Sequence, residues 1–230
     1  MANSKAAPPI VGIPSTLTLD YARDWALARV SKKRADHIVG VHKVGRDLAI
    51  MTRSSRDDQF IVELACLLHD ACKEFKDSQL VEMADHYGLK LSAIERANGH
   101  LLHGPIAAFV LKDQFALTNL EVLRAITEHT LGNIPMSDIS KLVFLADCLE
   151  ESRPKEYTKP IWQALGAGPG LDDKKKKKAG GEKVAINLDN AMLTALDLGL
   201  AHLLESRRVI HPKTVDVRNH FLGIVRAAEK

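Results

Sequence analysis

Chemistry is concentrated in one stretch, Leu64-Ala-Cys-Leu-Leu-His-Asp-Ala-Cys-Lys-Glu74. An apolar run delivers an adjacent His69-Asp70 pair, and Lys73 follows one helical turn later. An imidazole beside a carboxylate at the end of a buried helix can supply two ligands of one metal ion. Burying a carboxylate alone is costly, so Asp70 requires a cation, a donor or a metal as partner. Neighbouring helix positions point roughly 100° apart, so a shared ion would sit in the wedge between the two side chains. Lys73, at i+4 from His69 and i+3 from Asp70, flanks the same wedge and could meet an anion bound there.

A lone His-Asp dipeptide is common, so the weight falls on further ligands elsewhere. Of the ten histidines, three more have suitable company. His37 lies on a helix beside an apolar face, His103 at a helix N-terminus and His129 at a helix C-terminus. Asp147 ends a second buried helix. Each histidine alone reads more simply as a satisfied core or surface residue. Together they supply six nitrogen and oxygen ligands, His37, His69, Asp70, His103, His129 and Asp147, from five separate elements. That exceeds what one structural zinc takes, and no cysteine is used. The set suits one hydrated ion, or two ions bridged by a carboxylate. Iron, manganese, cobalt and zinc all accept such ligands. Two metals about 3.5–4 Å apart clamp an in-line attack on phosphorus, so the expected reaction class is metal-assisted hydrolysis of a phosphate ester or anhydride.

The elements that must position these residues read as helices throughout. The chain has 230 residues, 46% apolar, 27% charged and only 5% aromatic. Abundant Ala and Leu favour helix over sheet, and the length suits one domain with its own core. A first helix is expected from Thr18 or Asp20 through Val30, and a second over about 36–51 with His37, Val41, Val44, Leu48 and Met51 at helical spacing. Asp57-Asp58 start a third, which ends at the His-Asp pair. Helices over 78–87 and 91–97 follow, the first closed by Gly88. Gly104-Pro105 opens another over 105–115, leaving His103 just outside it. Asn119 caps a helix through His129 that Gly132 stops. Ser137 begins a run, Leu142-Val-Phe-Leu-Ala146, that is apolar all round and ends at Asp147. Helices over 157–166, 187–206 and 213–228 complete an all-α chain. Residues 1–17 read as a flexible tail, 18–229 as a single domain, and 167–183, rich in Gly, Pro and Lys, as a mobile loop.

Several function classes recede. A net charge of +3, partly from the run Lys174 to Lys178, does not suggest a nucleic-acid partner. Cys66, Cys72 and Cys148 lack Cys-x-x-Cys spacing and read as buried thiols in a reducing cytoplasm. No stretch approaches the roughly 20 apolar residues of a membrane span. Trp25 and Trp162 read as core rather than as stacking platforms for bases.

The order His37, His69-Asp70, His103, His129, Asp147 resembles the HD-domain phosphohydrolases. Arg34-Ala-Asp-His37-Ile-Val-Gly-Val, Leu68-His-Asp-Ala-Cys-Lys73, Leu102-His-Gly-Pro-Ile-Ala-Ala, Ala125-Ile-Thr-Glu-His129-Thr and Leu145-Ala-Asp147-Cys-Leu-Glu-Glu-Ser-Arg153 are similar, more closely, to the YqeK-type symmetrical diadenosine tetraphosphatases. Ile210-His-Pro-Lys-Thr-Val and Arg218-Asn219 resemble that family's end. The resemblance covers about residues 20–225 and implies an HD-type helical bundle. It also implies metal-dependent cleavage of a dinucleoside tetraphosphate into two nucleoside diphosphates. His37, His69, Asp70 and Asp147 would hold one ion, and a bridging Asp70 with His103 and His129 a second. Iron is the first choice, with manganese, cobalt or zinc as alternatives. A bridging water would attack a central phosphorus, and Lys73 would stabilise the phosphate charge. Thr130 and Arg153 are further candidates for substrate contact, although Arg153 could equally pair with Glu150 at i+3. The implied partner is a small dinucleoside polyphosphate in the cytoplasm, with no membrane and no nucleic acid, and with room for a homodimer.

The segment 167–183 departs from that pattern as an apparent insertion. Two other readings stay open: the same chemistry on another nucleotide, such as a monoester or an alarmone, or a nucleotide-binding regulatory module without turnover.

Overall fold

The computed structural model describes residues 10–169 and 186–230. Eleven α-helices and one 3₁₀ turn form among them: α1 Leu19–Leu27, α2 Lys32–Met51, α3 Arg56–Leu68, α4 Asp77–His86, α5 Ala93–Ala97, the 3₁₀ turn Gly99–Leu102, α6 His103–Phe115, α7 Leu120–Glu128, α8 Asp138–Leu149, α9 Lys155–Leu165, α10 Leu188–Glu205 and α11 Pro212–Ala228. No strand forms among the described residues, so the all-α expectation holds.

Local chemistry sets most boundaries. The side chains of Thr18, Ser31, Ser55, Asn119 and Ser137 each accept a hydrogen bond from a first-turn amide of the following helix. Gly88, Gly132 and Gly166 take left-handed backbone after α4, α7 and α9. The second helix starts four residues before its expected position. Ser31 caps it, but its first turn, Lys32-Lys33-Arg34, is polar and carries no apolar periodicity. His103 is corrected from just outside α6 to its first residue, because the 3₁₀ turn feeds directly into the helix. The eighth helix runs two residues past Asp147.

The N-terminal expectation changes as well. Residues 1–9 of the tail expected over 1–17 lie outside the described residues. The remainder is not free chain: Ile13 and Leu17 are buried in the core. The Gly12 carbonyl accepts from the amides of Thr118 and Asn119, tying this segment to the start of α7. Of the loop expected over 167–183, and the lysine run within it, all but 167–169 lies outside the described residues.

One apolar core extends from Ile13 to Phe221. Helix α3 lies at its centre against α1, α2, α7 and α8, and every residue from Leu64 to Leu68 is buried. Trp25 and Trp162 belong to this core, and Cys66 and Cys72 are buried within it. Two glycines permit close approach. A Cβ on Gly45 of α2 would meet Cys66 Sγ on α3 at 2.5 Å, and one on Gly104 of α6 would meet the Ile126 carbonyl oxygen on α7 at 2.6 Å. The antiparallel pair α10–α11 packs outside this nucleus, against α8 and α9 through α10.

Candidate metal centre

The six expected ligands converge. Asp70, 2% exposed, sits at the middle just after α3. Its Oδ2 faces His37 Nε2 at 3.6 Å and His69 Nε2 at 3.5 Å. Its Oδ1 faces His103 Nε2 at 3.2 Å and His129 Nε2 at 3.6 Å. Asp147 Oδ1 lies 3.1 Å from His37 Nε2. Three overlapping triads have ligand atoms within 4.8 Å of one another: His37-His69-Asp70, His69-His129-Asp147 and Asp70-His103-His129.

The imidazoles are oriented by their other nitrogen. The Nδ1 of His69 donates to the Cys66 carbonyl at 2.7 Å, that of His103 to His100 at 2.6 Å, and that of His129 to Ile126 at 2.7 Å. Each acceptor is the carbonyl three residues earlier, in the last turn of α3, the 3₁₀ turn or α7, where helix carbonyls lack partners. In the neutral ring this leaves Nε2 as a lone pair. Two of those lone pairs, on His103 and His129, meet at 2.9 Å. The Nε2 atoms of His37 and His69 are buried with no well-formed hydrogen bond among the described residues.

Protonation sharpens the conflict. Burial, with the Lys73 amine nearby, pushes the His103 imidazole down to about 4, so the ring is neutral at pH 7. Burial alone would raise the Asp70 carboxyl, but the imidazoles of His69, His103 and His129 hold it well below the usual carboxylate range. Burial opposes charge on His37, yet the Asp147 and Glu150 carboxylates on either side raise it to about 9. Lone pairs and ionised carboxylates crowded together repel unless protons or a cation sit among them. The donor set, imidazole nitrogens and carboxylate oxygens turned toward one another, fits a divalent transition metal, which would take the place of the His37 proton.

The remaining candidates lie at the rim. Lys73 Nζ donates to His103 Nε2 at 3.2 Å, and burial lowers its pKa. Thr130 Oγ1 lies 3.2 Å from the Nε2 of both His103 and His129. Arg153 pairs chiefly with Asp147, Nη2 to Oδ1 at 2.7 Å, and its Nε stands 3.6 Å from Glu150 Oε1. Lys73, His129, Thr130, Asp147 and Arg153 all line one cavity of about 660 Å³. Leu196 and Leu203 of α10, with Arg208 and His211 from the segment between α10 and α11, also line it.

Two neighbours were not among the expected site residues. Arg34 Nη1 reaches Asp70 Oδ2 at 2.8 Å. Glu150 Oε1 lies 3.2 Å from His37 Nδ1. Arg34, one turn before His37 on α2, was the available signal for the first. His100 is exposed and pairs with Asp77 at 3.3 Å, so only its carbonyl serves the centre.

Comparison with known proteins assigns the chain to a family. The HD domain model matches residues 34–152, just over half the chain. The chain belongs to the HD domain family. The match spans Arg34 through Ser152 and so includes all six candidate ligands. The chain is 26% identical over 208 residues to a protein of Staphylococcus aureus named bis(5'-nucleosyl)-tetraphosphatase, symmetrical, covering 89% of this chain and 95% of that one. It is 27% identical over 193 residues to the protein of that name from Halalkalibacterium halodurans, covering 84% and 91%. The fold matches, with a TM-score of 0.70, the crystal structure of a predicted HD superfamily hydrolase involved in NAD metabolism from Clostridium acetobutylicum, at 24% identity over 92% of this chain and 99% of that one. Among the described residues no helix is long and apolar enough to cross a membrane.

Proposed function

We propose that this HD-family protein hydrolyses dinucleoside tetraphosphates, diadenosine tetraphosphate first among them, symmetrically to two nucleoside diphosphates. The observation that carries the reading is the convergence of six buried or half-buried His and Asp side chains beside a cavity of about 660 Å³. The names of the two curated relatives supply the substrate. The reading takes the chain as a single cytoplasmic domain.

His37, His69, Asp70 and Asp147 would hold one divalent ion, and Asp70, His103 and His129 a second. Iron is the first choice, then manganese, cobalt or zinc. Such ions lower the pKa of water and neutralise charge on phosphate oxygens. The chain's own residues do the rest. Asp70, ionised and central, presents one oxygen to each half of the cluster. Lys73 places its amine on the cavity wall beside Asp70, within reach of a phosphate oxygen. Thr130 offers a hydroxyl on the same wall. A departing nucleoside diphosphate leaves as an anion, so stabilising charge matters more than donating a proton. Leu196 and Leu203 of α10 give a base or ribose an apolar face in the same cavity, with Arg208 also lining it.

Product analysis tests the reading. Purified protein, supplied in turn with iron(II), manganese or cobalt, is incubated with diadenosine tetraphosphate and the nucleotides are separated. ADP as sole product is expected. AMP with ATP would overturn the symmetrical assignment, and no cleavage with any metal would overturn the hydrolase reading.

A further inference from the structure

Three of the four histidines at the centre are oriented by backbone, but His37 cannot be. It lies inside α2 (Lys32–Met51), where the carbonyl three or four residues earlier is already engaged in the helix ladder. Its Nδ1 faces a side chain instead, Glu150 Oε1 at 3.2 Å.

That carboxylate is placed with care. Helix α8 ends at Leu149, and Glu150 turns into extended backbone, φ −61° and ψ 152°, so its side chain points back toward α2. Glu150 is 2% exposed. Its Oε2 accepts from the Ser152 amide at 2.9 Å, and its Oε1 accepts from the Ser152 hydroxyl. Arg153 Nε stands 3.6 Å away. Gly40, one turn after His37, leaves the room it occupies: a Cβ there would come within 3.0 Å of Glu150 Oε2. The carboxylate is thus buried, braced by Ser152 with Arg153 alongside, and closest on its α2 side to one imidazole nitrogen, His37 Nδ1.

We infer that Glu150, braced by Ser152, is a positioning residue that holds His37 with Nδ1–H donating and its Nε2 lone pair turned toward Asp70 and Asp147. The inference rests on the metal reading above. A carboxylate behind a ligating imidazole fixes its tautomer and strengthens it as a donor, and its removal typically weakens metal binding about 10–100-fold. The carboxylate-backed half of the centre therefore owes part of its affinity to Glu150. The half built on His103 and His129 does not.

The test is calorimetric titration of metal-stripped, full-length protein with Mn²⁺ alone. His37→Ala identifies the binding step that contains His37. Glu150→Gln, which keeps an acceptor but removes the charge, is expected to weaken that step about 10-fold, and Glu150→Ala about 10–100-fold, with the other step unchanged. Ser152→Ala should shift the same step by less. In Zn²⁺-loaded, ¹⁵N-labelled protein, the His37 Nδ1 proton should be visible in wild type and Glu150→Gln and lost in Glu150→Ala. Should the alanine variant fail to fold, Glu150→Gln and Ser152→Ala carry the test. Wild-type affinity in both glutamate variants would overturn the inference, as would an equal loss at both steps. Failure of the wild type to take up Mn²⁺ would overturn the metal reading and this inference together.

Discussion

The two halves of the centre are built differently around one carboxylate. On the Oδ1 side of Asp70, His103 and His129 are 0% and 4% exposed, and both rings hang from carbonyls of their own helical turns. Their neighbours are Lys73 and Thr130. On the Oδ2 side, His37 stands between the carboxylates of Asp147 and Glu150, with Arg34 and Arg153 paired to the acids. One half is preorganised by secondary structure. The other is assembled from charged side chains of α2 and α8 and depends on how those helices pack. The first should tolerate changes in distant packing; the second should not.

Removing the shared element tests the comparison most severely. Asp70→Ala should reduce hydrolysis to background and deplete metal from both halves, measured as metal content alongside turnover. Retention of either ion would mean that Asp70 does not join the two.

His103→Ala should leave about one ion per chain instead of two, with helicity by circular dichroism unchanged. Unchanged metal content and activity would count against a two-ion centre.

Lys73→Ala should lower kcat about 10²-fold, the scale of losing one donor to developing charge, while both ions are retained. A fall in metal content instead would make Lys73 a support for His103 rather than a contact for phosphate.

The two glycines give the mildest and most discriminating pair. Gly45→Ala gains up to about 1 kcal/mol of helix propensity but meets Cys66 Sγ at 2.5 Å, and overpacking of that kind costs about 1–3 kcal/mol. Gly104→Ala faces the backbone oxygen of Ile126 at 2.6 Å, which yields less readily than a side chain. Both variants should melt at lower temperature, Gly104→Ala more so. Gly45→Ala should weaken the metal step that involves His37, and Gly104→Ala the step that involves His103. Losses at the same step in both would erase the distinction between the halves.

Much of this could be read along the chain, for local reasons. Thr18, Asn119 and Ser137 announce helix starts because their side chains satisfy amides that a helix leaves open. Gly88, Gly132 and Gly166 announce stops because only glycine enters left-handed backbone without cost. The His69-Asp70 pair stood out because an apolar helix leads into it. What escaped had no local mark. Ile13 and Leu17 sit in a Pro- and Ser-containing stretch without periodicity, yet they complete the core. Arg34 lies in a polar first turn, and its partner Asp70 is 36 residues away.

By itself, the sequence determined most of the helices and which His and Asp side chains are candidates to hold a metal; for His69 and His129 the helix each one ends also sets the ring, since each uses a carbonyl three residues earlier. Only the tertiary structure decided that Asp70 stands between two halves, that Arg34 reaches it and that Glu150 backs His37. Those contacts join residues from separate helices, and their geometry is set by how closely α2, α3 and α8 approach, which no single segment encodes.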